Sequence, residues 1–449
     1  MGAPLAGDRE RRRFMLLAAL VALFGLGLRL LYVFGARIDA PIYGDGMQYM
    51  AYAWNVVNHG VYSSSAQLVP DSYRSPAYPL LLAAGLAMGG NDLDSAVRYA
   101  QILQALLGAA TVLLTIALAR LWLSRALALA AGLLVACWPH LITFAATLMS
   151  ETLFGFLLVL AMFLTCLGAE RSQRRWLAAG GLAFGAAYLA NSVILLFPLA
   201  LVLLLCRRGR FAHALVLLLA AAVVPVGWGW RNASLPGSAG EFHHAVDGFV
   251  WGSSPVYMLA FNSRWVSPEA KRIADLEQQE TQRVLEDPAG GLAMIGQRMR
   301  EDPLAYAAWY LLEKPYLLWD WGIVIGNGDI YYPLTRQSPF ERIALLAAMK
   351  RVAQWINPLL FFLALAGAAT FAWLGALRPQ ATAFVAAALA LFFLYVTAIH
   401  AVFQAEPRYA IAYRPEQMVL ALGFLAQLAA WLRAPRSGGA PKRLGVGTP

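Results

Sequence analysis

An all-helical chain that threads a lipid bilayer about ten times is the fold class this sequence predicts. Three observations carry it. Of 449 residues, 60% are apolar and only 13% charged, against about 25% charged in a soluble domain; so few charges cannot cover a water-facing surface. The apolar residues gather in runs close to the roughly 20-residue length that spans hydrocarbon. Lys and Arg then fall in alternate connections between those runs, as the positive-inside rule requires.

The first run, near 15–34, follows Arg9, Arg11, Arg12 and Arg13. It exceeds the apolar stretch of a signal peptide and reads as an uncleaved helix with its N-terminus inside. Further runs lie near 98–121, 125–143, 150–168, 176–191, 192–206, 211–230, 356–377, 380–403 and 412–432. Arg120 with Arg125, Arg171 with Arg174 and Arg175, Arg207 with Arg208 and Arg210, Arg378, and Arg433 with Arg436, Lys442 and Arg443 all share the N-terminal side if ten helices alternate. Two segments too long to be simple connections, 36–97 and 231–355, then lie outside. Within the second, Leu304 to Ile325 is moderately apolar but holds Glu313, Lys314, Pro315 and Asp320, so it reads as an interfacial helix rather than a span.

The chain thus divides into a cytoplasmic N-terminus (1–13), a transmembrane catalytic module (14–231) with its first outer loop (36–97), an outer loop region of mixed structure with the interfacial helix (232–355), C-terminal transmembrane helices (356–433) and a disordered cytoplasmic tail (434–449). The net charge of +10 belongs to the inner loops. No basic stripe with stacking aromatics accompanies it, which excludes a nucleic-acid partner. Cys137, Cys166 and Cys206 lie in or beside apolar runs without metal-ligand spacing and read as membrane-buried thiols.

Candidate chemistry sits where the chain leaves the spans on the outer side. Asp45 opens a short helix whose apolar stripe is Met47, Met50, Ala51, Trp54 and Val57; Asp45 and Gln48 also have capping-box spacing. Arg74 precedes Pro76 and Pro79, which can start a second surface helix. Ser150 and Glu151 open the fourth span, as a cap and a first-turn acid or as a second outer carboxylate. Arg231 ends the seventh span beside Trp228 and Trp230. Glu406, Arg408 and Tyr409 lie between the last two spans, where positive charge is disfavoured and an anion to bind would explain it. Glu241, His243, His244 and Asp247 are of metal-ligating types, but their spacing fits no known motif and they read as solvated loop.

Taken in order, these elements resemble the C-fold (GT-C) membrane glycosyltransferases, within them the bacterial relatives of the protein-O-mannosyltransferases, including the aminoarabinose transferases of lipid A and the lipopolysaccharide-core galacturonosyltransferases. Asp45, Tyr49 and Ala53 match the acidic residue and four-residue steps after the first span. Arg74, Pro76, Tyr78 and Pro79 match an Arg-x-Pro-x-Tyr-Pro element, Ser150–Glu151 a Ser-Glu helix start, Arg231–Asn232 an Arg-Asn, and Arg408–Tyr409 an Arg-Tyr. Two positions depart: Asp45–Gly46 stands where many relatives have Asp-Glu, and Asn191–Ser192 where many have Arg-Pro.

The resemblance implies a sugar moved from a polyprenyl-phosphate donor to an envelope glycolipid, lipopolysaccharide or protein, with inversion, on the periplasmic face of a bacterial inner membrane with both termini cytoplasmic. It implies Asp45 as base, Glu151 positioning the acceptor or assisting Asp45, Arg74, Arg231 and Arg408 as candidates for the donor phosphate, and Tyr49, Tyr78, Tyr409 and Glu406 against substrate. No cofactor is required by the residues, and a divalent metal stays open. Rival readings are a lipid-linked glycan flippase or transporter, which clean spans with charges at their ends disfavour, an assembly partner without activity, and a polymerase or ligase using a diphosphate-linked glycan.

Overall fold

The computed structural model describes residues 3–235 and 240–433; the expected tail, 434–449, lies outside the described residues. In chain order the helices are α1 (Ala3–Gly35), α2 (Asp45–His59), α3 (Ala77–Met88), α4 (Leu93–Arg120), α5 (Arg125–Cys137), α6 (Pro139–Thr143), α7 (Glu151–Arg171), α8 (Arg174–Tyr188), α9 (Phe197–Arg207) and α10 (Phe211–Ala233). The outer region adds α11 (Gly240–Ser253), α12 (Tyr257–Ser263), α13 (Pro268–Glu286), α14 (Pro288–Glu301), α15 (Pro303–Ala308), a π-helical turn (Trp309–Glu313), α16 (Lys314–Leu318) and α17 (Pro339–Arg342). The chain closes with α18 (Ala344–Leu377), α19 (Phe384–Val402) and α20 (Arg414–Arg433). Two short strands, β1 (Arg37–Ile38) and β2 (Thr335–Gln337), pair antiparallel and tie the exit of α1 to the end of the outer region.

All ten apolar runs are helical, and the protein is a multi-pass membrane protein. Among the described residues, seven helices are long and apolar enough to cross a membrane by themselves: α1, α4, α7, α10, α18, α19 and the helix that ends in α20. The other three runs are shorter because the chain breaks. α5 stops at the Trp138–Pro139 step, where proline ends one helix and begins α6. α8 and α9 are separated by a single 3-10 turn, capped by the Asn191 side chain accepting from the Val193 amide at 3.1 Å.

Alternation of the helices shows in their contacts. At one end of the bundle Arg125 pairs with Glu10 at 2.6 Å, Arg207 and Arg208 donate to the carbonyls of Ala376 and Thr382, and Glu170 accepts from the Phe384 amide. The arginine-rich connections therefore share one end, and the acidic motifs share the other.

Small residues set how closely the helices approach, as expected where packing rather than hydrophobic exclusion drives association. α8 lies between α7 and α10 with a glycine toward each. A Cβ at Gly180 would collide with Thr165, and one at Gly181 would stand 2.7 Å from the Ala220 methyl and 2.8 Å from the Ala221 nitrogen. Arg29 and Arg414 are buried inside the bundle and serve it as carbonyl anchors. Arg29 donates to Gly25, Val135 and Ala136 at the end of α5, and Arg414 to Trp319 and Asp320.

On α2, Tyr49, Met50 and Ala53 pack on protein, while Met47 and Trp54 of the apolar stripe are exposed. Two local expectations are corrected. The interfacial helix ends at Leu318 instead of Ile325. Beyond it the chain folds inward as a loop through Tyr332, because Gly326, Gly328 and Asp329 take left-handed backbone angles that no helix continues. The eighth span begins at Ala344, twelve residues before its apolar core, as the long helix α18.

Gly181→Leu is expected to wedge α8 from α10 and destabilise the fold by about 1–3 kcal/mol, read as a lower unfolding temperature in detergent; an unchanged temperature would refute the close approach.

Candidate active site

The site forms where α2, the segment before α3, the start of α7, the α19–α20 connection and the inward loop meet. Asp45 is in the first turn of α2. Its neighbour Gly44 has φ +56°, and a side chain there would strike the Tyr332 hydroxyl. A Cβ at Gly46 would stand 2.9 Å from the Leu148 carbonyl oxygen. The departure from Asp-Glu noted in the sequence thus has a steric reason: the α2 backbone is pressed against the turn preceding α7.

Asp45 does not cap its helix. Gly44 holds the cap position and makes no side-chain bond. Instead the carboxylate is divided between two arginines: Arg74 Nη2 donates to Oδ1 at 2.8 Å and Arg408 Nη2 to Oδ2 at 3.2 Å. Gln48, the other half of the expected capping box, accepts from Arg74 Nε at 2.7 Å. Ser150 likewise makes no cap bond. Glu151 Oε1 lies 3.4 Å from Arg408 Nε, and Glu406 Oε2 lies 3.9 Å from it. Three carboxylates and two guanidiniums form one cluster, and Asp45 remains 26% exposed at its centre.

The cluster is not saturated. Arg408 Nε and Nη1 and Glu151 Oε2 are buried without a hydrogen-bond partner. The Arg408 guanidinium lies over the rings of Tyr332 at 4.7 Å and Tyr409 at 5.2 Å, and Arg74 over Tyr49 at 5.4 Å and Tyr73 at 5.3 Å. Burial alone would raise the Asp45 carboxyl, but Arg74 and Arg408 outweigh it and hold it down at about 2. Glu406 behaves oppositely: burial pushes it up to about 7 despite Arg408 and three backbone amides. Burial would lower the Arg408 guanidinium, but Tyr332, Asp45, Glu151 and Tyr409 beside it raise it well above the usual arginine value.

Asp45, Arg74, Glu151, Arg408, Tyr49, Tyr409 and Glu406 are therefore brought together. Two expected residues are not. Tyr78 is 1% exposed. Its ring meets Tyr49 edge-on at 5.1 Å and its hydroxyl donates to Gln104 at 2.7 Å, so it supports α2 from beneath. Arg231 donates to the Asp71 carbonyl at 2.7 Å and to the Asn232 side chain at 3.0 Å, over the rings of Trp228 and Tyr62. Tyr62 in turn donates to the Arg74 carbonyl at 2.8 Å. Arg231 thus braces the Arg74 segment from behind.

Tyr332 was not expected. The glycine-dense run after α16 is the signal for a tight loop, but nothing in sequence says where its end lands. His244, read as solvated loop, stands at the rim against Tyr73 (ring centroids 5.2 Å apart) and within electrostatic reach of Asp45 and both arginines. Asp247 accepts from the Tyr73 hydroxyl at 3.2 Å. Among the described residues, no three His, Cys, Asp or Glu side chains are grouped to hold a metal ion.

Residues 73–230 match the family described as dolichyl-phosphate-mannose-protein mannosyltransferase. No curated protein matches the chain. Among solved structures, the Archaeoglobus fulgidus oligosaccharyltransferase in its apo form is 13% identical with a TM-score of 0.53, covering 94% of this chain and 51% of its own. The same organism's oligosaccharyltransferase AglB, solved with an inhibitory peptide and a dolichol-phosphate, is 14% identical with a TM-score of 0.50, covering 94% and 51%. ArnT from Cupriavidus metallidurans, bound to undecaprenyl phosphate, is 15% identical with a TM-score of 0.38, covering 93% and 78%. The chain spans about half the length of the oligosaccharyltransferase it matches. Its fold is the C-fold of membrane glycosyltransferases, as the resemblance in sequence implied.

A carboxylate held below its ordinary value stabilises the fold above pH 4 and loses that contribution as pH falls through its folded value. For Asp45 the window is about pH 4 to 2, worth up to about 2 kcal/mol. Asp45→Asn, which cannot titrate, is expected to lose less stability than wild type across this window in detergent unfolding; parallel losses would refute the double pairing.

Proposed function

We propose that this C-fold chain is a glycosyltransferase that moves a sugar from a polyprenyl-phosphate donor to a hydroxyl of an envelope glycolipid, lipopolysaccharide or protein. The observation that carries the reading is the unsatisfied edge of Arg408. A guanidinium buried at the acidic end of the bundle, with Nη1 unbonded, is a ready anion-binding group. It lies beside a carboxylate suited to deprotonating a hydroxyl. The family match over 73–230, and a fold shared with an enzyme solved with dolichol-phosphate, support a lipid-phosphate donor.

On this reading Arg74 and Arg408 take the donor phosphate at the periplasmic end of the helices, while the polyprenyl tail lies along the bundle. The acceptor oxygen attacks the anomeric carbon and its proton passes to Asp45. The bond from that carbon to the phosphate oxygen breaks as the new bond forms, the electron pair leaves on polyprenyl phosphate, and the arginines stabilise the charge. Direct displacement inverts the anomeric centre. Glu151, whose Oε2 is unbonded, orients the acceptor, and Tyr49 and Tyr409 wall the site.

A carboxylate at about 2 is a weak base. The pairing that depresses it is also what the donor would disturb. As the arginines turn to the phosphate, Asp45 loses two positive neighbours and its proton affinity rises. The pH dependence of kcat/KM reports the free enzyme and that of kcat the complex. The acidic limb of kcat is therefore expected at higher pH than that of kcat/KM; coincident limbs would refute this activation.

The direct test is transfer of radiolabelled sugar from a panel of polyprenyl-phosphate sugars to envelope lipids and proteins. Asp45→Asn is expected to reduce transfer by about 10²–10⁴-fold. Near-wild-type transfer in this variant would remove Asp45 as the base. No transfer by folded wild type from any donor would favour diphosphate-linked donors or lipid flipping.

A further inference from the structure

The short connection Phe403–Arg408, which delivers Arg408 to Asp45, is gripped from both halves of the outer region. On one side α11 presses on it. A side chain at Gly252 would collide with the Phe403 carbonyl and come within 2.8 Å of the Gln404 nitrogen. The Gly252 carbonyl is itself held by Trp309 Nε1 at 3.1 Å and by the buried Lys314 Nζ at 2.9 Å.

On the other side lies the tip of the inward loop. The two ends of that loop are fixed to the bundle: Arg414 and Asn357 bind the Trp319 carbonyl, His140 Nε2 lies 2.8 Å from the Trp321 carbonyl, Thr143 binds the Ile330 carbonyl, and Lys350 pairs with Asp329 at 2.6 Å. The tip is held differently. Val324 and Ile325 point their amides at one oxygen of Glu406, at 2.8 and 3.3 Å. The other oxygen of Glu406 accepts from the Arg408 amide at 2.7 Å. At 1% exposure this carboxylate has no face left for substrate.

We infer that Glu406 is a positioning residue, a staple that fixes the Val324–Ile325 tip to the Arg408 backbone and so holds Arg408 between Tyr332 and Asp45. It replaces the substrate-contacting role expected from sequence and explains an acid buried beside an arginine that it barely touches. Loss of both oxygens frees the tip, and with it the Tyr332 wall, from the Arg408 connection. The consequence for ligand rests on the proposed donor; the staple itself does not.

Hydrogen–deuterium exchange of the full chain in detergent, with the affinity for undecaprenyl phosphate measured on the same samples, tests it. In Glu406→Ala, peptides covering 319–332 and 403–410 are expected to exchange at least about tenfold faster, while peptides of α4 and α7 keep their rates. Affinity for undecaprenyl phosphate is expected to weaken roughly tenfold or more. Glu406→Gln, which keeps one carbonyl oxygen and the side-chain shape, serves if the alanine variant does not fold. It should speed exchange at 403–410 and spare 319–332. Unchanged exchange with weakened affinity would mean that Glu406 meets the ligand directly, and overturns the inference. Faster exchange with unchanged affinity would show that the tip does not govern Arg408, and overturns it as well. Failure of folded wild type to bind undecaprenyl phosphate counts against the donor reading alone and leaves the exchange rates to judge the staple.

Discussion

The division of one carboxylate between two arginines is the constraint around which this end of the molecule is arranged. Asp45, Arg74 and Arg408 come from separate segments of the chain, and both arginines are too buried to stand alone. A charge removed from water needs a partner with good geometry or it neutralises. Asp45 supplies an oxygen to each arginine, and the aromatic rings of Tyr49, Tyr73, Tyr332 and Tyr409 cover the guanidinium faces. With Glu151 and Glu406 included, the cluster has one more acid than base. Burial pushes Glu406 up to about 7, against Arg408 and the three backbone amides that its oxygens accept from.

Bringing these groups together is the work of the helix ends. Alternating spans deliver the exit of α1, the entry of α7 and the α19–α20 connection to one surface of the bundle. The outer region then closes over them, its helices α11, α13 and α14 sharing a small core of Val246, Val250, Val284 and Ile295. β1 and β2 join its end to the α1 exit, α11 rests on the Arg408 connection, and the inward loop threads Tyr332 beneath Gly44. Three close approaches depend on a glycine: Gly44 to Tyr332, Gly46 to the Leu148 carbonyl and Gly252 to the Phe403 carbonyl. The site is built on the ends of rigid elements, with the inward loop pinned by side chains of the bundle.

How much of this was legible in the sequence follows from what kind of contact each residue makes. Hydropathy and arginine placement report the solvent each segment meets, so the ten helices and the shared sidedness of Asp45, Arg74, Glu151 and Arg408 could be read. Local pattern failed where a residue's partner is distant. Asp45 and Gln48 have the spacing of a capping box, yet both turn to Arg74, twenty-nine and twenty-six residues away. Arg231, a candidate for the donor phosphate through the resemblance, turns instead to the Asp71 carbonyl, 160 residues away. Tyr332 and the Glu406 staple were invisible because a loop that packs through carbonyls and amides leaves no periodic trace.

On the proposed reading, the pairing that steadies Asp45 also leaves it little affinity for a proton, and this bears on the order of events. While Arg74 and Arg408 both hold Asp45, a hydroxyl arriving first would meet a carboxylate with little affinity for its proton. An anion arriving first competes for the arginines, and Arg408 has an unbonded Nη1 with which to begin that exchange before it releases Asp45. On the proposed reading, donor binding therefore precedes acceptor activation as a matter of electrostatics, with no moving lid required.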